Sequence, residues 1–208
     1  MKIILFDLDT RMVECWKRDF SDKDNVYILN EEFSKIMRDS GQDIDMIVSA
    51  ANSFGIMDGG LDLVYRNYFG IELQEEVQKK IWERFLGEQP VGTSLIVEVP
   101  NFPGVKLCHT PTMRTPQAVD PRVVYSAMRS SLVEGHKSGA RVVLIPAFAH
   151  MTGRVDAETV STLMLRAYED YIDSVNQDAK SERKMMNWEK VYNEKGIDDV
   201  LIGRFVFG

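Results

Sequence analysis

The chain has 208 residues and a formal net charge of −7, with 44% hydrophobic and 27% charged side chains. That length sustains one sizeable core, and the composition is that of an ordinary globular protein rather than a disordered or disulfide-dense one. The acidic balance argues against a nucleic-acid partner, because phosphate grooves need lysine and arginine, and no apolar run is long enough to span a bilayer. The expectation is a cytoplasmic protein with no membrane partner. Residues 1–174 would be its domain and 175–208 a C-terminal extension of that domain.

Along the chain, residues 3–6 read as a first strand, and Met12, Val13, Trp16 and Phe20 recur at helical spacing after it. Residues 26–29 make a second short strand. Residues 32–39 form a helix with Phe33, Ile36 and Met37 on one side, closed by Gly41. Residues 45–48 are apolar on successive positions, which suits a strand covered on both faces. Residues 61–69 are helical, and Leu73, Val77, Ile81 and Phe85 define another helix. Residues 95–99 and 105–108 flank the turn-forming NFPG and pair as an antiparallel hairpin.

A helix follows Pro121 to about His136, and then RVVLIP, another continuous apolar strand. Asp156 is placed to cap the next helix, striped by Val160, Leu163, Met164, Ala167, Tyr168, Tyr171 and Ile172. The run DAKSERKMMNWEK reads as a solvated helix face, and DVLIGRFVFG as an edge strand or docking segment. Cys15 and Cys108 lie in apolar-patterned segments without metal-ligand spacing and read as buried free thiols. Strand and helix alternate, so the fold class is α/β, a three-layer α/β/α sandwich on a mixed, largely parallel sheet. Ligands of such sheets sit beyond the carboxyl ends of the strands, where the loops 49–62 and 146–155 fall.

The opening FDLDT places Asp7 and Asp9 at a strand end, as haloacid-dehalogenase-type phosphatases place a nucleophile and an acid/base group. There the second aspartate is followed by any one residue and then Thr or Val, whereas here Thr10 comes one place early. That chemistry also requires a lysine and a magnesium-holding carboxylate pair, for which only Asp198 and Asp199 offer themselves. The competing reading is structural: Asp7, Asp9 or Thr10 caps the helix beginning near Arg11.

The stretch IVSAANSFGIMDGGLDLVYRNYFG delivers Asn52 from a strand to a glycine-rich turn and then a helix start, the parts of an anion cradle. Its order resembles the macro-domain pattern V-N-A-A-N-S, G-G-G-V-D and a helix ending A-A-G. QPVGTSLIVEVPNFPGVKLCHT is similar to that family's P-T-G-E-A segment, hairpin and H-T. RVVLIPAFAHMTGRV stands where the family has a strand and P-x-x-G-T-G-x-x-G. The resemblance covers roughly residues 26–174, and the opening strand and helix are similar to a variant from phages and bacteria.

The resemblance implies binding of ADP-ribose or a related nucleotide, with no cofactor and no metal, and hydrolysis of ADP-ribose linkages in some members. Asn52 would fix the distal ribose, and Asp62 would position or activate water. Ser49, Ala51 and Ser53 would line the first loop, with Gly59 and Gly60 against the diphosphate. Ala147, Phe148, Ala149, His150, Met151, Thr152, Gly153 and Arg154 would close the second, Phe148 being the candidate to stack on ribose or base. His150 is weighed as a general acid against a solvated loop residue, Arg154 as a phosphate clamp against a surface arginine, and Arg114 as a bystander. Tyr65, Tyr68 and Phe69 read as helix packing, and His109 as a strand-end residue.

Departures from the pattern are Ser49 for asparagine, Asp58 for the first of three glycines, and Ala149, His150 and Met151 for Gly-Thr-Gly. None of Asn30, Glu31 and Glu32 is a clean match to the adenine-reading aspartate. Two alternatives therefore stay open beside an ADP-ribosyl hydrolase: a non-catalytic structural or partner-binding macro fold, a protein partner included, and a metal-dependent phosphatase.

Overall fold

The structure, a computed structural model, describes residues 1–179. The segment Asp199–Gly208 and all but the first two residues of DAKSERKMMNWEK lie outside them. Six strands form one sheet: β1 (Lys2–Phe6), β2 (Val26–Leu29), β3 (Met46–Asn52), β4 (Leu95–Glu98), β5 (Lys106–Met113) and β6 (Val142–Pro146). The spatial order is β2-β1-β6-β3-β5-β4, parallel throughout except for β4, which runs antiparallel to β5 at the edge. The described helices are α1 (Thr10–Asp19), α2 (Phe33–Ser40), α3 (Gly60–Phe69), α4 (Glu72–Phe85), α5 (Arg122–Lys137) and α6 (Ala157–Ala179). The fold is the three-layer α/β/α sandwich that the alternation implies.

The apolar strands are continuous rather than alternating because both faces are covered. Ile4, Phe6, Ile47, Leu107 and Leu144 pack with α2, α3 and α4 through Phe33, Ile36, Tyr65, Leu73, Val77 and Ile81. On the other face α5 comes close enough that a Cβ on Gly135 would meet Met46 and Val143. There α1 and α6 are tied through Glu158, which accepts from Arg18 at 2.8 Å, and through Ser161, which donates to Asp19 at 2.7 Å. The chain falls into two compact units, Met1–Tyr168 and one that begins at Glu169.

Local chemistry explains the helix boundaries. Asp9 caps α1, its Oδ1 accepting from the Arg11 amide at 2.9 Å, so the structural reading of FDLDT holds for that residue. Asp156 caps α6 through the Thr159 amide at 3.0 Å. Gly41 follows α2 as expected but has helical φ and opens a short 3-10 turn, Gly41–Asp43, rather than a left-handed stop. Both cysteines are buried and free.

Phe33 centres an aromatic cluster, with ring centroids 4.6 Å from Tyr65, 5.3 Å from Tyr68 and 5.9 Å from Phe69. The three α3 aromatics are therefore packing residues, as the spacing indicated. Replacing Phe33 with alanine removes the centre of this cluster and is expected to cost about 3–5 kcal/mol. A urea titration checks it; a loss below about 1 kcal/mol would show that the cluster is not a unit.

Candidate functional site

The central feature is a split at the carboxyl end of the sheet. β3 pairs with β6 only through Met46 with Val143 and Ile47 with Leu144. Beyond them β3 follows β5 as far as Asn52, shifting register between Ala51 and Asn52, while Ile145 and Pro146 of β6 pair with Leu5 and Phe6 of β1. The β3–α3 and β6–α6 loops thus leave from neighbouring strands at one end of the sheet. The chain from β1 runs to one side and that from β3 to the other, so this is also where connections change direction, the usual crevice of such sheets.

The first loop is organised by Asn52. Its Oδ1 accepts from the amides of Phe54 at 3.1 Å and Ile56 at 3.2 Å, and its Nδ2 donates to the Ile56 carbonyl at 2.7 Å. The side chain expected on the ribose is therefore engaged in shaping the turn. Ser53 is buried and joined to the Met113 and Arg114 carbonyls by its own amide, and Ala51 is buried in the strand. Gly55 has φ +66, and a Cβ there would sit 2.7 Å from Val77, so both conformation and packing require glycine. At Gly59 neither does: φ is −151 and a Cβ would meet nothing within 4 Å.

Ser49 and Asp62 form the buried polar pair of the site. Ser49 Oγ donates to Asp62 Oδ1 at 2.5 Å, across the β3–α3 connection. Burial raises the Asp62 pKa to about 6, against the lowering effect of that hydrogen bond. At neutral pH the group is a carboxylate with one oxygen held, and its pKa lies where proton exchange with a ligand or water is facile. Beside Ser49 in the sheet lies His109, fully buried within β5 rather than at a strand end. Its Nδ1 is 2.8 Å from Gln89 Oε1, while the Gln89 amide nitrogen donates to the Thr93 and His109 carbonyls. The imidazole is thus a donor at Nδ1, and burial holds it neutral by lowering its pKa to about 3.

The second loop departs most from expectation. Phe148 has no accessible surface and belongs to the core, so its ring is enclosed rather than presented for stacking. His150 is not a solvated loop residue either; its side chain is 12% exposed. Its Nε2 lies 2.8 Å from Asp9 Oδ2 and its Nδ1 2.9 Å from the Val155 carbonyl. Ala149 and Arg154 both take φ +58 despite their Cβ atoms, a cost of roughly 1 kcal/mol each. Gly153 is required by contact instead, since a Cβ would come 2.5 Å from the Ala149 carbonyl oxygen. Met151, Thr152 and Arg154 are exposed and Ala147 half-buried. The pairing of His150 with Asp9 went unread in the sequence, where FDLDT offered a helix cap or a phosphatase nucleophile with its acid/base group.

Helices α1, α2, α3, α5 and α6 each follow a parallel strand at this end, and their starts differ. Aspartates cap α1 and α6, whereas α3 begins after Gly59 with no side-chain cap. The N-cap residues of α2 and α5 give no side-chain cap either, but α3 alone starts on two glycines beside the buried Asp62, so its first-turn N–H groups and positive dipole end can meet an anion at close range. Arg114 is removed from that role by a paired contact with Glu88 at 2.7 and 3.0 Å and by lying over the Phe54 ring. Asn30 instead ties the end of β2 to the carbonyls of Asp7 and Leu8. Among the described residues no three His, Cys, Asp or Glu side chains are grouped to hold a metal ion, and no helix is long and apolar enough to cross a membrane.

The sequence model of the Macro domain family matches residues 48–164. An uncharacterized protein of Aquifex aeolicus is 27% identical over 154 residues, covering 72% of this chain and 90% of its own. The O-acetyl-ADP-ribose deacetylase of Escherichia fergusonii is 25% identical over 152 residues, covering 72% of this chain and 81% of its own. In fold, the macrodomain of Mycobacterium tuberculosis DarG is similar with a TM-score of 0.53 at 18% identity, over 62% of this chain and 83% of that one. A Trypanosoma brucei macrodomain in complex with ADP-ribose gives 0.54 at 19% identity, over 64% and 53%.

Asp62 is expected to cost stability. A carboxyl raised from 3.8 to about 6 disfavours its anion by about 3 kcal/mol, at roughly 1.4 kcal/mol per pH unit. The folded state then holds the proton longer than the unfolded chain, so stability falls as pH rises from about 4 to 6 and stays low above. Asp62→Asn keeps an acceptor for Ser49 and is expected to be about 1–3 kcal/mol more stable than the parent at pH 8 and about equal near pH 4. Thermal melts at both pH values check this; a less stable variant at pH 8 would contradict the burial argument.

Proposed function

The chain belongs to the Macro domain family, and on that premise we propose that it binds ADP-ribose or a closely related nucleotide at the split end of its sheet and hydrolyses a bond at the distal ribose. The observation that carries the reading is the uncapped start of α3 behind Gly59 and Gly60, beside a buried carboxylate and opposite the β6–α6 loop. Gly59 has no conformational or packing reason to be glycine, and close approach of a diphosphate to the main chain supplies one. The relative of Escherichia fergusonii, named an O-acetyl-ADP-ribose deacetylase, supports an ester on the ribose as the class of bond.

In this reading the diphosphate lies across the Gly59 and Gly60 amides, with the loop from Ala147 to Gly153 opposite. Ser49 holds one oxygen of Asp62, which leaves the other to orient and deprotonate a water for attack on the ester carbon. Backbone donors would meet the developing oxyanion without rearrangement, and positioning would supply much of the acceleration. Asn52 acts by holding the turn rather than by a free amide. That internal engagement also favours a second reading, binding without turnover. Two buried free thiols and the acidic surface support a reducing, cytoplasmic setting and a small-molecule or protein-linked ligand rather than a nucleic acid.

Calorimetry with ADP-ribose and release of acetate from O-acetyl-ADP-ribose test both halves. The expected result is saturable heat, with turnover that Asp62→Asn reduces by roughly a hundredfold or more while binding is kept. Heat without turnover would leave the second reading; no heat at high ligand concentration would remove both. A separate check uses Gly59→Val, expected to weaken binding at least about tenfold while shifting stability by under about 1 kcal/mol. Unchanged affinity would take the diphosphate away from α3.

A further inference from the structure

The contact that closes the second loop joins an imidazole to the opening FDLDT, a motif that the proposed chemistry leaves unused. We propose that Asp9 is a positioning residue: through His150 it holds the 149–154 loop in the shape that receives the diphosphate, and so makes ligand binding pH-dependent. The ligand in this proposal rests on the ADP-ribose reading; the loop mechanism rests on geometry.

His150 is bonded at both ring nitrogens. Val155 offers a carbonyl oxygen, which only accepts, so Nδ1 carries a hydrogen. Nε2 faces a carboxylate oxygen of Asp9, which accepts as well. A ring bonded in this way carries both protons and is an imidazolium. Asp9 is itself fixed. Its other oxygen caps α1 through the Arg11 amide, and its own amide donates to Asp7 Oδ1 at 2.8 Å. The charged groups facing the ring are therefore the two carboxylates of the β1–α1 loop, Asp9 and Asp7. Asp156, at the foot of the same loop, is turned to the amide and hydroxyl of Thr159.

The loop needs such a tie. Its backbone passes through left-handed conformations at two residues with side chains, Ala149 and Arg154. Its internal bonds are few, among them Val155 N–H to the Ala149 carbonyl at 3.1 Å and Arg154 N–H to that of Met151 at 3.2 Å. His150 joins both ends: its backbone follows Ala149, and its ring grips Val155.

The sign of the pH effect follows from the partners. Burial alone would lower the His150 pKa, but the Asp9 carboxylate, the Val155 carbonyl and the charge of Asp7 outweigh it and hold the value above the ordinary 6.5. A group raised on folding contributes its tie in full below its unfolded pKa and loses it as pH climbs past the raised value. ADP-ribose binding is therefore strongest at mildly acid pH and weakens on the alkaline side.

Calorimetry with ADP-ribose across that range, on the full chain, reads the effect. In the parent the Kd is expected to rise roughly fivefold or more. Asp9→Asn keeps the α1 cap, since asparagine caps as well as aspartate. It turns an amide N–H toward Nε2 and so favours the neutral ring, and its affinity is expected not to fall on the alkaline side, above the range near 6 in which Asp62 titrates. An Asp9→Asn protein whose affinity falls with pH as the parent's does overturns the proposal.

A measurement without ligand keeps this separate from the functional reading. NMR titration of the His150 ring is expected to give a pKa above 6.5 in the parent and a lower one in Asp9→Asn, with exchange of the Val155 amide accelerating past the same pH. A His150 that titrates at or below 6.5 overturns the proposal whether or not ADP-ribose binds. If ADP-ribose gives no heat at any pH, the functional reading fails, and the ring and amide data alone decide whether Asp9 holds the loop.

Discussion

Two residue pairs hold the centre of this sheet together, Met46 with Val143 and Ile47 with Leu144. Everything at the carboxyl end depends on that short ladder. It is long enough to fix β3 beside β6, so that the two loops must leave side by side. It is also short enough that beyond it each strand turns to its other neighbour and the sheet parts. A longer ladder would bring the loops into contact as packing, and none would let them separate. The apolar layers on both faces, centred on Phe33 and Tyr65 on one side, keep the two strands in register against that divergence.

On this frame the chain places polar groups where burial is costly. Asp62 is enclosed with a single hydroxyl for company, and His109 is enclosed with a fixed amide. Neither arrangement is the most stable use of a core position. The contrast between them is informative: His109 is held neutral and locked by Gln89, a structural arrangement, whereas Asp62 is held near the point of ionisation with one oxygen uncommitted to Ser49. The glycines divide in the same way. Gly55 and Gly153 are dictated by neighbours within the protein, and Gly59 is not.

Most of the secondary structure was legible because apolar periodicity is a local property, as with Met12, Val13 and Trp16 or Leu73, Val77 and Ile81. But β3 and β5 run on to Asn52 and Met113, beyond the 45–48 and 105–108 that the apolar runs mark, and the 3-10 turn Gly41–Asp43 carries no such signal. The order of motifs around Asn52, Gly59 and Asp62 likewise marked the family. What could not be read depended on partners far away in sequence. Phe148 looked available because loop residues usually are, and it has no accessible surface. His150 looked solvated because its partner, Asp9, is 141 residues away. Asn52 looked like a ligand contact, yet the turn it serves closes at Ile56 and uses both ends of its amide. The left-handed Ala149 shows that a Cβ there is tolerated where glycine was expected.

The account stands on main-chain amides of two separated loops meeting one anion. Proton–nitrogen correlation spectra recorded during addition of ADP-ribose test that directly, because amide resonances report the groups concerned. The account predicts that the largest shifts fall together on Gly59, Gly60 and the amides between Ala147 and Gly153, with a common saturation point. Shifts confined to one of the two loops, or centred elsewhere on the protein, would contradict it.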